Sequence, residues 1–172
     1  MEVLMRKLML AAALLSLGLA APLAAHHAGE ALTAGSLVIS HAWMYENAGM
    51  GHSTSVFLTI DNQGAAPDRL IAAETGFADH AVLQAQTLSA EGVLEIKDVA
   101  ALQVNPGQVL TLKPGVVWLE LESVHQTFEH GEHFDLTLTF EKAGRIKVEV
   151  EIEPLDEHEH EHEEGHEKDD LS

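Results

Sequence analysis

The sequence predicts an all-β domain, a Greek-key sandwich or barrel, between residues 36 and 153. Short segments in which apolar and polar residues alternate recur along this stretch, and clusters of turn-forming residues separate them. The stretch contains no convincing long segment with the apolar period of an amphipathic helix. Nine short strands in about 120 residues are typical of such a fold.

The clearest strands come last in the domain. In residues 134–141, Phe134 and every second residue up to Phe140 are apolar, and residues 145–153 alternate in the same way. Lys142-Ala143-Gly144 lies between them and predicts a hairpin. In chain order, the same alternation predicts earlier strands at 37–44, 54–61, 68–75, 81–88, 93–97, 108–112 and 116–121. Turn signals between strands include Asp61-Asn62-Gln63-Gly64, Asn105-Pro106-Gly107 and Lys113-Pro114-Gly115.

The composition excludes several classes of function. The chain has 28 acidic and 9 basic residues, for a formal charge of −19, whereas a nucleic-acid binder needs a cationic face. It has no cysteine, which excludes disulfides, zinc–thiolate sites, iron–sulfur clusters and thiol catalysis. It has 12 histidines, so a bound metal would be held by histidine, methionine, carboxylate or a free amine.

Residues 1–25 have the pattern of an export signal. Arg6 and Lys7 precede an apolar stretch, and Pro22-Leu23-Ala24-Ala25 offers the small residues that signal peptidase cleaves. An uncleaved membrane anchor is the alternative, although the apolar stretch is short for a span. The junction has no cysteine, which excludes a lipoprotein anchor. We therefore predict a periplasmic protein that loses its signal near Ala25.

Cleavage after Ala25 would make His26-His27 the new amino terminus, at the start of an N-terminal extension over residues 26–35. An N-terminal histidine chelates a metal through its α-amine and its ring, and one further histidine completes the T-shaped arrangement called a histidine brace, which suits Cu(II). Cleavage one residue earlier would place His27 third, in another arrangement that chelates Cu(II) or Ni(II). The alternative is that two histidines at a frayed terminus bind nothing.

Residues 154–172 form a tail of different composition. From position 156 it holds nine acids, one lysine and four histidines, and it has too little apolar surface to offset the entropy of ordering, so we expect disorder. It is either a solubilising tail or a weak binding site for Zn(II), Ni(II) or copper. The histidines concerned are His158, His160, His162 and His166.

Several stretches of the domain, in this order, resemble the PCu(A)C family of periplasmic copper chaperones. They are His41-Ala42-Trp43, Val56-Phe57-Leu58-Thr59-Ile60-Asp61-Asn62, Asp68-Arg69-Leu70, Leu112-Lys113-Pro114-Gly115 and Leu136-Thr137-Leu138-Thr139-Phe140-Glu141-Lys142-Ala143-Gly144. The resemblance covers roughly residues 37–152. It implies a cupredoxin-like β-sandwich and copper delivery in the periplasm, for example towards the assembly of a respiratory oxidase.

The chain departs from that family at the copper ligands. The resemblance implies two histidines and two methionines for Cu(I), but the matching positions hold Trp118, Glu120, Ile96 and either Gln84 or Ala85. The usual soft site should therefore be absent. Family members from methane-oxidising bacteria lack the same ligands and use a histidine brace at the mature N-terminus, which the predicted His26 terminus resembles.

The second ligand of such a brace must come from the domain. Residues 41–52 contain His41, His52 and the only methionines of the mature chain, Met44 and Met50. His52 and Met50 flank Gly51 in a predicted loop, so we rank His52 slightly above His41, and Met44 is equally suited to the core. His80, His125, His130 and His133 are weaker candidates, since isolated surface histidines are usually solvated.

These observations predict a copper-binding protein or copper chaperone that holds Cu(II) in preference to Cu(I), at His26 with help from His52, His41, Met50 or His27. Its partners would be copper and a copper acceptor, such as an oxidase or another membrane cuproenzyme. The alternative is a metal buffer or interaction module whose tail alone binds metal. No catalytic triad, phosphate loop or paired-carboxylate motif stands out, so we predict that the chain is not an enzyme.

Overall fold

The computed structural model describes residues 31–47 and 49–155, and every regular element in these ranges is a β-strand. In chain order the strands are β1 (Leu32–Ala34), β2 (Leu37–Tyr45), β3 (Thr54–Asn62), β4 (Asp68–Glu74), β5 (Ala78–Leu88), β6 (Leu94–Asp98), β7 (Leu102–Val104), β8 (Val109–Leu112), β9 (Val117–Val124), β10 (His133–Phe140) and β11 (Gly144–Glu153). The prediction of an all-β domain is confirmed. Within the described ranges, no helix is long and apolar enough to span a membrane.

The strands form one continuous mixed sheet in the order β6-β5-β9-β3-β2-β11-β10-β4-β7, with β1 paired to β2 and β8 paired to β3. All pairs are antiparallel except β2 with β11. The predicted hairpin joins β10 and β11 through residues 141–143, and Gly144 follows with φ 77°, a conformation that glycine adopts without steric cost.

Alternation along each strand divides the sheet into two faces. The inner-face side chains from both halves of the sheet meet in one core, which includes Ile39, Met44, Leu58, Leu119 and Val150. The outer face carries the polar partners, and several aromatic rings as well. Met44 is completely buried, so its thioether serves packing.

An irregularity in β2 is the local feature that shapes the candidate site. The pairing of β2 with β3 shifts register between Ser40 and Trp43, and His41 has φ 48°. Extra residues in a ladder bend a strand and change which face its side chains occupy. As a result, Ile39 is buried before the bulge, Ala42 and Met44 are buried after it, and His41 is exposed.

Candidate metal centre

Six of the histidines singled out by the sequence lie outside the described residues: His26, His27, His158, His160, His162 and His166. The predicted export signal and most of the predicted tail also lie there. The candidate domain ligands that would complete a site with His26 are His41, His52 and Met50, and all three lie within the described residues.

His41 lies in the β2 bulge with its side chain exposed. Its ring centroid is 6.0 Å from that of Trp43. A non-glycine residue with positive φ is strained, and such strain persists only where the surrounding structure enforces it. Here β3 pairs with one edge of β2 on both sides of the bulge, while β1 pairs with the other edge up to Ile39 and β11 pairs with it from Trp43 onward. His41 therefore occupies the gap between two neighbouring strands.

The register of β1 places Ala31, the first described residue, beside this gap. β1 is antiparallel to β2 with Leu32 opposite Ile39, so Ala31 and His41 lie at the same end of that ladder. His26 precedes Ala31 by five positions. A fully extended chain spans at most about 3.5 Å per residue, so His26 stays within roughly 17 Å of Ala31. Among the described histidines, His41 is the one that lies beside Ala31 at the end of the β1–β2 ladder.

His52 belongs to a different part of the domain. It precedes β3, where the Val124 amide donates to its carbonyl at 3.0 Å and the Gly51 amide donates to the Val124 carbonyl at 2.7 Å. His41 lies opposite the stretch of β3 near Leu58, which is four residues beyond Thr54 or roughly 13 Å at 3.3 Å per residue. The two histidines are therefore separated along the sheet, and Met50, 67% exposed, accompanies His52.

The four positions that the resemblance matches to the family's copper ligands lie on the outer face of three adjacent strands, β6, β5 and β9. Gln84 is directly opposite Trp118, whereas Ala85 packs against the core, so Gln84 is the position on the ligand face. The Trp118 indole N–H donates to Glu120 Oε2 at 3.0 Å, and the Ser55 hydroxyl donates to the same oxygen at 2.7 Å. The polar atoms at this face satisfy one another, and Trp118 is 8% exposed.

Three aromatic rings pack against one another, tilted or edge to face, on the outer face beside His41. Trp43 lies 4.6 Å from Phe57 and 4.9 Å from Tyr45, measured between ring centroids, and Trp43 and Tyr45 remain half-buried. The overall aromatic content, 5%, gave no sign of this group. The group depends on the register of β2 against β3, which makes Trp43 and Phe57 direct partners across that ladder.

The weaker histidine candidates do not form a metal site within residues 31–47 and 49–155, where no group of three histidine, aspartate or glutamate side chains is arranged to hold an ion. His125 pairs with Asp79 at 2.8 Å, and this hydrogen bond lowers the pKa of Asp79 below its ordinary value. A carboxylate with a lowered pKa stabilises the fold above its unfolded-state pKa, and that contribution is lost as pH falls through the folded-state pKa. Both side chains are more than half exposed, so the pair contributes little.

The comparison with family models gives one match: the LpqE-like family, described as "lipoprotein LpqE-like", over residues 37–152. No curated protein matches the chain significantly.

Solved structures of PCuAC domains share the fold. The apo PCuAC domain from PmoF1 has a TM-score of 0.64 and 26% identity, with 73% of this chain and 99% of that chain covered. The copper-bound PCuAC domain from PmoF2 has a TM-score of 0.62 and 22% identity, covering 73% and 98%. The solution structure of apo-DR1885 from Deinococcus radiodurans has a TM-score of 0.55 and 23% identity, covering 76% and 86%.

Proposed function

The chain belongs to the LpqE-like family of PCuAC-type domains, and from this premise we propose that it is an exported, non-enzymatic copper-binding protein or copper chaperone of the periplasm. A copper-bound PCuAC domain and a Cu(I) form of DR1885 are among the structures that share its fold. The family description names a lipoprotein, which supports export, although none of the 172 residues is a cysteine.

The proposed metal site consists of the α-amine and ring of His26 together with the ring of His41. The observation that carries it is the position of His41, exposed in the bulge at the end of the β1–β2 ladder where Ala31 lies, within reach of a terminus at His26. The sequence ranked His52 above His41. The register of β1 supports the reverse order, because His52 lies beyond the far end of β2.

Cu(II) is the oxidation state that this site favours. Three nitrogen ligands suit Cu(II), whereas Cu(I) prefers thioethers and thiolates. The only exposed methionine of the described residues, Met50, lies beside His52 and away from His41. Delivery as Cu(I) to an oxidase or another membrane cuproenzyme would therefore require one electron from an external reductant, in addition to ligand exchange at the acceptor.

The test is a Cu(II) titration of the exported protein, after mass spectrometry has established its first residue. We expect tight binding with an electron paramagnetic resonance spectrum of nitrogen-coordinated Cu(II). Because loss of even a supporting contact typically costs 10–100-fold in metal affinity, His41→Ala should weaken binding by roughly 100-fold or more. His52→Ala is the matched control and should leave the affinity unchanged. The opposite ranking of the two variants would reject His41 as the ligand.

Fluorescence provides a second readout of position. The chain has two tryptophans, so Trp118→Phe leaves Trp43 as the only one. Copper held by His41 would lie beside Trp43 and quench its emission in proportion to the bound fraction. A methionine retained before His26 removes the free α-amine, and it should abolish both tight binding and quenching. Unchanged affinity in that variant would reject the brace.

A metal-buffering role of the tail is the second candidate function. Four histidines alternate or nearly alternate with acids between residues 157 and 167, a composition that binds zinc, nickel or copper weakly. Deletion of residues 156–172 separates the two functions. If the brace is correct, the deletion removes only weak sites, and if all binding disappears with the tail, the chain is a buffer.

A further inference from the structure

Five exposed large apolar side chains lie around the hairpin of β5 and β6, four of them on the outer face and Val93 in the turn before β6. Leu88 is directly opposite Leu94, and Ile96 is opposite Gln86. The backbone N–H of Gln86 donates to the Val116 carbonyl at 2.9 Å. The exposed set is Leu88, Val93, Leu94, Ile96 and Val116. We call this surface the β6 corner. A contiguous apolar surface of this kind marks an interaction site more often than isolated exposed side chains do.

Among the strands of residues 31–47 and 49–155, β6 is also an open edge of the sheet, because its one partner there is β5. In an antiparallel ladder, hydrogen-bonded pairs alternate with pairs whose amides and carbonyls point away. Hydrogen bonds from Val99 N to Leu83 O and from Ser89 N to Val93 O show that odd-numbered residues of this hairpin bond across it. Leu94, Ile96 and Asp98 therefore present their backbone groups to the outside, as an edge strand available for pairing.

We propose that two copies of this chain associate through antiparallel pairing of their β6 strands, about a two-fold axis at Ile96. In this register Ile96 lies opposite Ile96 of the second copy, and the outward backbone groups of Leu94 meet those of Asp98. All five residues of the strand are paired. Such an interface is isologous, as in most homodimers.

Charge complementarity fixes the register. Glu95 and Lys97 form an ion pair at 2.8 Å within one strand. A two-fold axis at Ile96 also places Glu95 opposite Lys97 of the second copy, twice by symmetry, and no other two-fold register does so. Opposite charges directly across a ladder stabilise it, and like charges destabilise it. The Asp98 carboxylate accepts a hydrogen bond from Gln84 Nε2 at 3.0 Å, which holds it towards its own chain.

The same axis extends the apolar surface. Val116, just before β9, forms one row with Gln86 of β5 and Ile96 of β6, because Gln86 is opposite Ile96 and its backbone amide bonds to Val116. Pairing at Ile96 joins this row to its copy and covers Ile96, which is otherwise 60% exposed. The proposal does not depend on copper binding, since β5, β9 and β3 separate β6 from β2.

Charge reversal tests the proposal by sedimentation equilibrium on the exported full-length protein. We expect a monomer–dimer equilibrium for the wild type. Glu95→Lys and Lys97→Glu should each raise the dissociation constant at least tenfold, because two attractive pairs become two repulsive ones. The double variant Glu95→Lys/Lys97→Glu restores the pairs and should recover the wild-type constant within about threefold. A wild-type protein that stays monomeric up to about 1 mM would overturn the proposal. Equal dimerisation in all four proteins would also overturn it.

Chemical cross-linking tests the axis itself. Since the chain has no cysteine, Ile96→Cys introduces a single thiol, and the two copies of residue 96 would have Cα atoms about 5.5 Å apart. A short bis-maleimide should then join the copies. Val109→Cys is the matched control, because Val109 is 58% exposed on β8 and Ile96 is 60% exposed on β6. Equal cross-linking of the two variants would contradict a two-fold axis at Ile96.

Discussion

At the scale of single residues, the positions that carry the family resemblance prove to be structural. Asp68 is 6% exposed, and its carboxylate accepts hydrogen bonds from the amides of Arg69, Lys142 and Ala143 at 2.8–2.9 Å. Asn62 is completely buried, and its amide donates to the carbonyls of Ala66 and Val104. These side chains hold loops against the sheet, so they stabilise the fold independently of any bound metal.

Replacement of Asp68 should be among the more destabilising single changes in the domain. Asp68→Ala leaves three half-buried amides without an acceptor, and each lost bond of this kind costs about 1 kcal/mol. We expect a loss of about 3 kcal/mol in the free energy of unfolding, measured by urea denaturation. Asp68→Asn keeps one acceptor oxygen and should lose about half as much.

Asp61→Ala provides the control, because Asp61 is half-buried and accepts one side-chain hydrogen bond, from Gln63. It should change the free energy by less than about 0.5 kcal/mol. If Asp68→Ala were as mild as Asp61→Ala, the loop between β10 and β11 would not depend on this carboxylate.

At the scale of elements, all nine strands that alternation in the sequence predicts are present in the structure. β1 and β7 were missed because three residues are too few to show a period of two. β5 begins at Ala78 and β9 ends at Val124, three residues outside the predicted bounds in each case. There the exposed His80 and half-exposed Glu122 face each other, so polarity alone suggests a loop.

The candidate site was less predictable for a related reason. The sequence brought His41 and His52 together as neighbours in one segment of twelve residues. The bulge in β2 and the pairing of β1 with β2 are tertiary features, and they separate the two histidines. The face on which His41 emerges depends on one register shift, which no local pattern reveals.

The bulge makes a prediction about strain at the proposed ligand. His41 has φ 48°, where a side chain costs roughly 1 kcal/mol or more and glycine costs little. His41→Gly should therefore be more stable than His41→Ala by about 1 kcal/mol in urea denaturation. Both variants should lose tight copper binding.

The neighbouring Ser40 supplies the control, since it lies in regular β2 pairing opposite Thr59. There the order should reverse, with Ser40→Ala more stable than Ser40→Gly by roughly 0.5–1 kcal/mol. If glycine were no better than alanine at position 41, the positive φ would not be a source of strain.

At the scale of the whole molecule, the proposed copper site and the β6 corner lie on different parts of one sheet. Four steps between neighbouring strands lead from β6 to β2, about 19 Å at 4.8 Å per step. Dimerisation through β6 would therefore leave His41 exposed in both copies. A copper acceptor could then approach the bulge while the dimer stays intact.

The net charge of the domain makes the last prediction. Removal of residues 1–25 and of the tail from position 156 leaves 6 basic and 18 acidic residues, a charge of 6 − 18 = −12. Self-repulsion of this size opposes the compact state, and salt screens it. For the chain without residues 156–172, we expect the melting temperature at pH 7.5 to rise by about 3 °C or more from low salt to 0.5 M NaCl, as measured by circular dichroism.

The control lies on β11, where Glu149 faces Asp135 across the β10–β11 ladder. Glu149→Lys replaces a repulsive pair with an attractive one, so it should raise the low-salt melting temperature and reduce the effect of salt. Lys147→Glu, which removes the ion pair of Lys147 with Asp135 at 2.7 Å, should do the opposite. Sodium sulfate at equal ionic strength distinguishes screening from the general stabilisation that sulfate produces by exclusion from the protein surface. If the melting temperature were independent of NaCl, or if both variants shifted it in the same direction, the excess charge would not limit the stability of the fold.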